Sequence, residues 1–357
     1  MIGRARPSRR SALEVTIVTR RWDPSGGGCE AYLSDLLLAL RRAGHSAAVS
    51  CGGAPVEGQR GPVLASYPVE GATHYQLHSG IHAEAYAAER ESFDSGLRRL
   101  FYWPALRWNR RRSALLRAEE RAFSREGPRL MVWSESLRSR LLEHCRVAPE
   151  RVTACAPGVD LKRFQPVDDR GALRERFGAG RGELLLLFVG HNFVLKGLAR
   201  VLEALRRAGE AGLACRLLVA GKGHVLPFRR RAARLSIGDR VKFLGAVDRS
   251  EMPTLYSAAD VLVHPTFSDP FSLVALEALA CGCPVITTRA NGASRLIESG
   301  RQGFLMDDPR DAGGIVRALE SLRAAQPGET MRREAVELAR RHPFETHARE
   351  VIEWLRP

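Results

Sequence analysis

From Val261 to Thr288 the chain reads VLVHPTFSDPFSLVALEALACGCPVITT. The opening four residues form a short apolar run of the kind that makes a buried strand, residues 265–270 supply turn chemistry, and an apolar helical pattern follows. Residues 285–288 then return to a strand. Strand, loop, helix and strand in that order make one parallel crossover unit. Residues 184–190, 216–221 and 241–244 repeat the theme upstream, each an apolar run separated from the next by a helical pattern. Such runs spaced by helices predict a parallel sheet covered on both faces.

The first half alternates in the same way with more interruptions. A β-branched run over 14–19 leads into Gly26-Gly27-Gly28, then into an amphipathic helix over 29–43 that stops at Gly44. Short apolar runs recur at 47–50, 75–77, 130–134 and 152–156, which predicts an alternating α/β domain. The interval between the second strand and the run ahead of His78 is short, so an element there is expected to be missing or reduced. Residues 157–181, with Pro166, Asp168, Asp169, Gly178 and Gly180, read as a linker, and residues 344–355 as a closing amphipathic helix. The expected organisation is α/β throughout: a first domain over 1–165, a second over 166–342, and a helix in 343–357 returning toward the first.

A chain of 357 residues, 45% hydrophobic, is long enough for two ordinary cores. No apolar run approaches the roughly 20 residues that cross a bilayer. The basic N-terminus carries no export pattern, so the expected location is the cytoplasm. Seven dispersed cysteines without a CxxC pair predict reduced thiols and no metal site. The net charge is +15, and of the basic residues only Lys162, Lys196, Lys222 and Lys242 are lysine. Residues 97–123 crowd arginines against Glu119 and Glu120 and interleave Phe101, Tyr102, Trp103, Leu106, Trp108, Leu115 and Leu116. A basic, aromatic, amphipathic segment suits an anionic lipid surface; the alternative is a solvated helical face. Nucleic acid is not an expected partner, because no helix-turn-helix, zinc-finger or RNP-type signature accompanies the charge.

Ligands of doubly wound folds bind in the loops that follow the strands. In the 261–288 stretch the backbone N–H groups of Phe271, Ser272 and Leu273 stand at a helix N-terminus, where they and the dipole favour a phosphate. Asp269 lies just before them and Glu277 one to two turns inside the helix, a spacing that suits one carboxylate for a sugar and another for a ribose. The blander reading makes Asp269 a helix cap and Glu277 a solvated acid. A second segment, FVGHNFVLKGL over 188–198, ends a strand in a loop that carries Lys196 before Gly197. An ammonium there is a compact point charge suited to a diphosphate.

With these two segments the chain resembles the family 4 retaining glycosyltransferases of GT-B architecture, and among them the enzymes that add glucose to heptose in the lipopolysaccharide core. The resemblance extends over most of the chain and implies two Rossmann-like, doubly wound domains facing across a cleft. The family places two glutamates around this loop; here Asp269 holds the first place and Glu277 the second. By resemblance Asp269 meets the donor sugar, Glu277 the ribose, and Lys196 with the Phe271, Ser272 and Leu273 amides the diphosphate. His191 and Asn192 stand near where many relatives carry an arginine. Gly27 and Gly28 are implied to face the donor phosphates or the acceptor, and His78 the reacting sugar, with His82 as its rival.

The implied reaction is transfer of a hexose, glucose in the nearest relatives, from a UDP-linked donor with retention and without a metal or other cofactor. The implied acceptor is a lipopolysaccharide-core or other lipid-linked glycan, reached at the inner-membrane surface through residues 97–123. An open form would close over donor, with residues 157–181 and the helix near Trp354 as hinge elements. The competing expectation is a non-catalytic sugar-nucleotide-binding or membrane-surface scaffold protein, motivated by Asp269 in place of glutamate.

Overall fold

The structure, a computed structural model, describes residues 11–23, 27–52, 60–324 and 328–357. Its strands fall into two sets. The first comprises β1 (Glu14–Thr19), β2 (Ser46–Cys51), β3 (Val63–Ala65), β4 (His74–Gln76), β5 (Arg129–Val132) and β6 (Val152–Ala154). The second comprises β7 (Leu184–Val189), β8 (Cys215–Ala220), β9 (Val241–Gly245), β10 (Val261–His264), β11 (Val285–Thr288) and β12 (Gly303–Met306). Each set makes one parallel sheet, ordered β2-β1-β3-β4-β5-β6 and β12-β11-β10-β7-β8-β9.

The helices of the first half are α1 (Gly28–Arg42), α2 (His82–Ser92), α3 (Gly96–Trp108), α4 (Arg110–Ala122) and α5 (Glu135–His144). Those of the second are α6 (Arg170–Arg176), α7 (Leu198–Glu210), α8 (Leu226–Arg234), α9 (Met252–Ala258), α10 (Leu273–Ala280), α11 (Ala312–Ala324), α12 (Gly328–Arg340) and α13 (Phe344–Trp354). All of β7 is buried, and its residues alternate between two cores. Leu185, Leu187 and Val189 pack toward α9, α10 and α12, while Leu184, Leu186 and Phe188 pack toward α7, α8 and α11. Full burial of each such side chain contributes about 1.5–3 kcal/mol, and double-sided burial is why the run is apolar without alternation.

One expectation narrows and another changes. In the short interval before His78 the element is reduced and not missing: β3 pairs there with β1 and β4. Its three residues are too few to show a period. The stretch 157–181 is not linker throughout, because α6 forms within it and its Leu173, with the following Phe177, packs against the second domain's core. Asp169 caps α6 by accepting from the Ala172 N–H at 3.1 Å.

The chain passes between the domains twice. Near Gly158 it leaves the first domain, and it comes back ahead of Phe344. The two passes are bonded to one another: the Val159 N–H donates to His342 O and the Phe344 N–H to Val159 O, both at 2.9 Å. Helix α13 then packs in the first domain's core with Tyr32, Leu33, Leu36 and Leu40 of α1. Inside that contact the Tyr32 hydroxyl lies 2.7 Å from His347 Nε2 and accepts from Gln76 Nε2 at 2.7 Å. Cys155 Sγ takes the other imidazole nitrogen at 3.1 Å. Among the described residues no helix is long and apolar enough to cross a membrane.

Candidate active site

The carboxyl ends of the two sheets face one another, and the loops that follow the strands meet between them. The loop after β10 is fixed from beneath by Asn291, which is fully buried at the end of β11. Asn291 Oδ1 accepts from the Ser272 N–H at 3.2 Å and the Ala293 N–H at 3.0 Å, and its Nδ2 donates to Thr287 Oγ1 at 3.0 Å. The Asp269 backbone is also held, by Asp269 N–H to Ala290 O at 3.1 Å and Gly292 N–H to Asp269 O at 2.8 Å. The Ser272 amide is therefore not free for a phosphate, contrary to expectation, because a buried side-chain amide already takes it. Among the described residues the N–H groups of Phe271 and Leu273 have no protein acceptor, and they remain aimed out of the N-terminus of α10.

Lys196 and Asp269, given separate duties by the sequence reading, meet. Lys196 Nζ lies 2.6 Å from Asp269 Oδ2 and 3.4 Å from Ser268 O, and His264 Nε2 approaches the same carboxylate oxygen at 3.4 Å. Burial opposes ionisation of Asp269, but the ammonium and the imidazole outweigh it and hold the carboxyl well below its ordinary range. Gly197 follows at φ +79, with its Cα against the Pro265 carbonyl, so a side chain there would be both strained and obstructed.

Glu277 is not a solvated acid. Tyr256 donates its hydroxyl to Glu277 Oε2 at 3.0 Å, and Arg249 Nη2 stands 4.0 Å from Oε1. Burial pushes the carboxyl up to about 7 in spite of both. The same Arg249 nitrogen lies 2.7 Å from Asp35 Oδ2 on α1, so the ion pair spans the two domains. Neither Arg249 nor Asp35 was singled out in the sequence, where one arginine among many carries no signal.

Opposite them, the first domain presents Gly27 and Gly28 at the start of α1; Gly26 lies outside the described residues. A Cβ on Gly27 would stand 3.1 Å from both His191 Nε2 and Glu30 Oε2, and one on Gly28 3.7 Å from Leu273 Cδ1. At these glycines the two walls come close enough that a side chain on Gly27 would press on His191. His191 Nδ1 accepts from the Lys222 N–H at 3.4 Å. Between the walls runs a cleft whose apolar side is Ala246, Val247, Met252 and Val274 and whose polar side is His191, Lys222, Arg249 and Glu277. A flat heterocycle fits the first and a hydroxylated or phosphorylated group the second.

His78 follows β4. Its ring makes edge-on contacts with Tyr32, at 5.1 Å between centroids, and with Trp133, at 4.7 Å. Both ring nitrogens are buried without a partner, a condition that is rare unless a ligand completes it. Burial, and then His347, push the imidazole down to about 3, so it is neutral. Trp133 in turn meets Phe271 at 6.5 Å, and a Cβ on Gly80 would press on Pro270 at 2.8 Å. The two domains thus touch at this edge of the cleft. His82 is separated from all of this: its Nδ1 lies 2.7 Å from Glu119 Oε1 and its N–H donates to Glu119 Oε2 at 2.9 Å.

Residues 97–123 divide at Asn109, whose side chain accepts from the Arg112 N–H at 3.2 Å and starts α4. Tyr102, Leu106 and Leu115 turn inward, whereas Leu97, Leu100, Phe101 and Trp108 are exposed, Trp108 by 87%. Among the described residues no three His, Cys, Asp or Glu side chains converge as metal ligands would.

Comparison with known proteins adds a family match to the second domain. Residues 169–342 match the family described as "Glycosyl transferases group 1". The chain is 37% identical over 206 residues to a D-inositol 3-phosphate glycosyltransferase of Geodermatophilus obscurus, covering 54% of this chain and 46% of that one. It is 38% identical over 203 residues to D-inositol 3-phosphate glycosyltransferase 2 of Catenulispora acidiphila, covering 54% and 47%. The chain thus spans about half the length of these curated relatives. Solved structures match nearly end to end. WaaG, a glycosyltransferase involved in lipopolysaccharide biosynthesis, superposes with a TM-score of 0.77 at 22% identity over 96% of this chain and 99% of that one. Sucrose-phosphate synthase from Thermosynechococcus elongatus gives 0.78 at 20% over 96% and 98%, and Anabaena Alr3699/HepE in complex with UDP-glucose 0.72 at 18% over 96% and 99%. The two parallel six-stranded sheets are a GT-B fold, and the family match falls on the second of them.

Proposed function

We propose that the cleft is the active site of a retaining, family 4 type hexosyltransferase that uses a nucleoside diphosphate sugar, with UDP-glucose as the donor. The observation that carries this reading is the Lys196–Asp269 pair, whose Asp269 lies in the loop that goes on to present the free Phe271 and Leu273 amides and leads into the helix bearing Glu277. Glu277 accepts from the ribose hydroxyls, and the base lies along Ala246, Val247, Met252 and Val274. Lys196 moves from Asp269 to the diphosphate, which releases Asp269 to accept from a sugar hydroxyl. His191, Gly27 and Gly28 border the phosphates from the other wall.

The reaction breaks the bond between the anomeric carbon and the diphosphate oxygen. The acceptor oxygen bonds to that carbon on the same face, and the acceptor proton passes to the departing diphosphate oxygen. Charge growing on the diphosphate is met by Lys196 and by backbone amides that need no reorganisation, so the residues present suffice without a metal. His78, neutral and with both nitrogens unpartnered, hydrogen-bonds the donor sugar.

The acceptor in this reading is a sugar on a lipid anchor, of lipopolysaccharide-core type, and the exposed face of α3 docks the enzyme on the anionic cytoplasmic surface of the inner membrane. The relatives' names favour a second reading, a soluble inositol phosphate as acceptor. The test begins with the donor: UDP-, GDP- and ADP-sugars are screened for binding and slow hydrolysis, with Glu277→Ala alongside. One nucleotide sugar bound and turned over, with both lost in the variant, is expected. Binding without turnover in the presence of either acceptor class would instead make the chain a sugar-nucleotide-binding scaffold.

A further inference from the structure

Three guanidinium groups from separate elements of the second domain gather where that domain meets the end of α2 and the α2–α3 loop of the first. Arg200 lies in the first turn of α7, Arg231 in α8, and Arg310 between β12 and α11. They belong to the face of the second sheet opposite α10, which carries Glu277. The link to the reacting centre is Phe267: the Arg310 guanidinium lies 5.5 Å over its ring, and its N–H donates to Leu195 O at 2.9 Å, next to Lys196. The cluster therefore borders the Lys196–Asp269 pair on the side away from the ribose carboxylate.

Its compensating charge comes from the other domain. Asp94, between α2 and α3, is paired by Arg200 on one carboxylate oxygen and by Arg231 on the other, the latter at 2.5 Å. Arg310 donates to Glu91 O at 3.0 Å and to Glu91 Oε2 at 2.7 Å. On the second domain itself, Glu203 is taken by Arg206 and Arg207, each at 3.0 Å, and Asp308 stands 4.0 Å from Arg310. Burial, and after it the neighbouring Arg231, lowers the pKa of Arg200, with Glu203 opposing and Arg310 adding to the shift. Without the α2–α3 loop this face is a cationic cup.

We propose that Arg200, Arg231 and Arg310 form a binding site for a phosphate monoester on the acceptor, in which Asp94 stands as a built-in carboxylate competitor. The site rests on the reading of the cleft as a transferase centre and specifies the acceptor class for it. Guanidinium forks match phosphate oxygens bidentately; Asp94 engages Arg200 and Arg231 while Glu91 holds Arg310, so a phosphate that gathers all three displaces Asp94 and draws Arg310 from Glu91. An acceptor whose phosphate displaces Asp94 is held at the sugar end of the cleft, with a hydroxyl free to reach the anomeric carbon.

The experiment titrates inorganic phosphate into the full chain saturated with UDP, so that the donor site is filled. Asp94→Asn is expected to bind phosphate at least tenfold more tightly than the unmodified chain, and Arg231→Gln added to it to abolish the gain. Arg231→Lys, which keeps charge without the fork, should restore part of it. Equal affinity in the unmodified chain and D94N, or a gain that survives Arg231→Gln, overturns the proposal. A second arm uses phosphatidylcholine vesicles containing phosphatidic acid. Flotation of D94N that depends on Arg231 assigns the phosphate to a lipid headgroup, whereas arginine-dependent binding of soluble phosphate alone assigns it to a soluble acceptor. Failure of the transferase reading would show differently, as absent nucleotide-sugar turnover with phosphate binding intact.

Discussion

Lys196 and Asp269 neutralise each other across 2.6 Å, with little of either side chain in solvent. A cation engaged in this way must be drawn off before it can serve a diphosphate, so the two partners answer to mutation with opposite signs. Lys196→Ala is expected to weaken UDP binding by about 10- to 100-fold, the worth of one charge-assisted hydrogen bond of about 1.5–3 kcal/mol. Asp269→Asn is expected to tighten it while lowering sugar transfer. Calorimetric titration with UDP separates them, and weaker binding in both variants would contradict the exchange.

Glu277 makes donor binding depend on pH. Ribose hydroxyls are bound by a carboxylate with both oxygens accepting, and burial has moved this carboxyl from 4.5 up to about 7. Donor affinity should therefore rise as pH increases through about 7, and Glu277→Gln should flatten that rise. Stability runs the other way. A carboxyl raised on folding contributes fully below its unfolded value and loses that contribution as pH rises to the folded one. Glu277→Gln should accordingly unfold at higher denaturant than the unmodified chain near pH 8, by an order of about 2–3 kcal/mol, with the gap closing toward acid. A gap independent of pH would show that the shift is not real.

His78, held near 3 by burial and by His347, is neutral across the working range. We expect His78→Ala to lower kcat by about 100-fold with UDP affinity unchanged. The pH profile of the unmodified enzyme should show no limb that disappears in this variant. A limb near pH 6 that does disappear would mean an imidazolium takes part.

The exposed side of α3 predicts a surface interaction. Replacing Phe101 and Trp108 by serine should remove flotation on anionic vesicles at low salt, since each aromatic is worth about 1.5–3 kcal/mol when buried. Thermal stability should be nearly unchanged, because neither side chain packs inside the fold. Unaltered flotation would assign any membrane binding to charge alone.

How far the sequence could be read follows from what each residue does. The second sheet was legible because its strands are buried on both faces and therefore apolar without interruption. Helix α6 reads as linker because Pro166, Asp168, Asp169, Gly178 and Gly180 look like turn chemistry, and the packing of Leu173 and Phe177 that overrides it is tertiary. The loop with Asp269 and Glu277 could be located from its pattern, but the Lys196 contact closes a separation of 73 residues that no local pattern encodes. Asn291 was invisible for the same reason, and so was Arg249, whose partners come from α1 and α10. His82 is set apart by Glu119, a contact across 37 residues that no local pattern encodes, while both ring nitrogens of His78 lack a partner.

The paired passage of the chain at Val159 and Phe344 has a mechanical consequence. A single connection between two bodies permits twist, tilt and translation. Two adjacent connections stitched by reciprocal hydrogen bonds leave one easy movement, rotation about the line that joins them, because any other shears the stitch. The cleft should therefore gape like a clamshell, widest at the rim opposite that line. Cutting the chain just before Phe344 would do more than shorten it: the jaw would lose its axle, and the first domain would lose one wall of its interior.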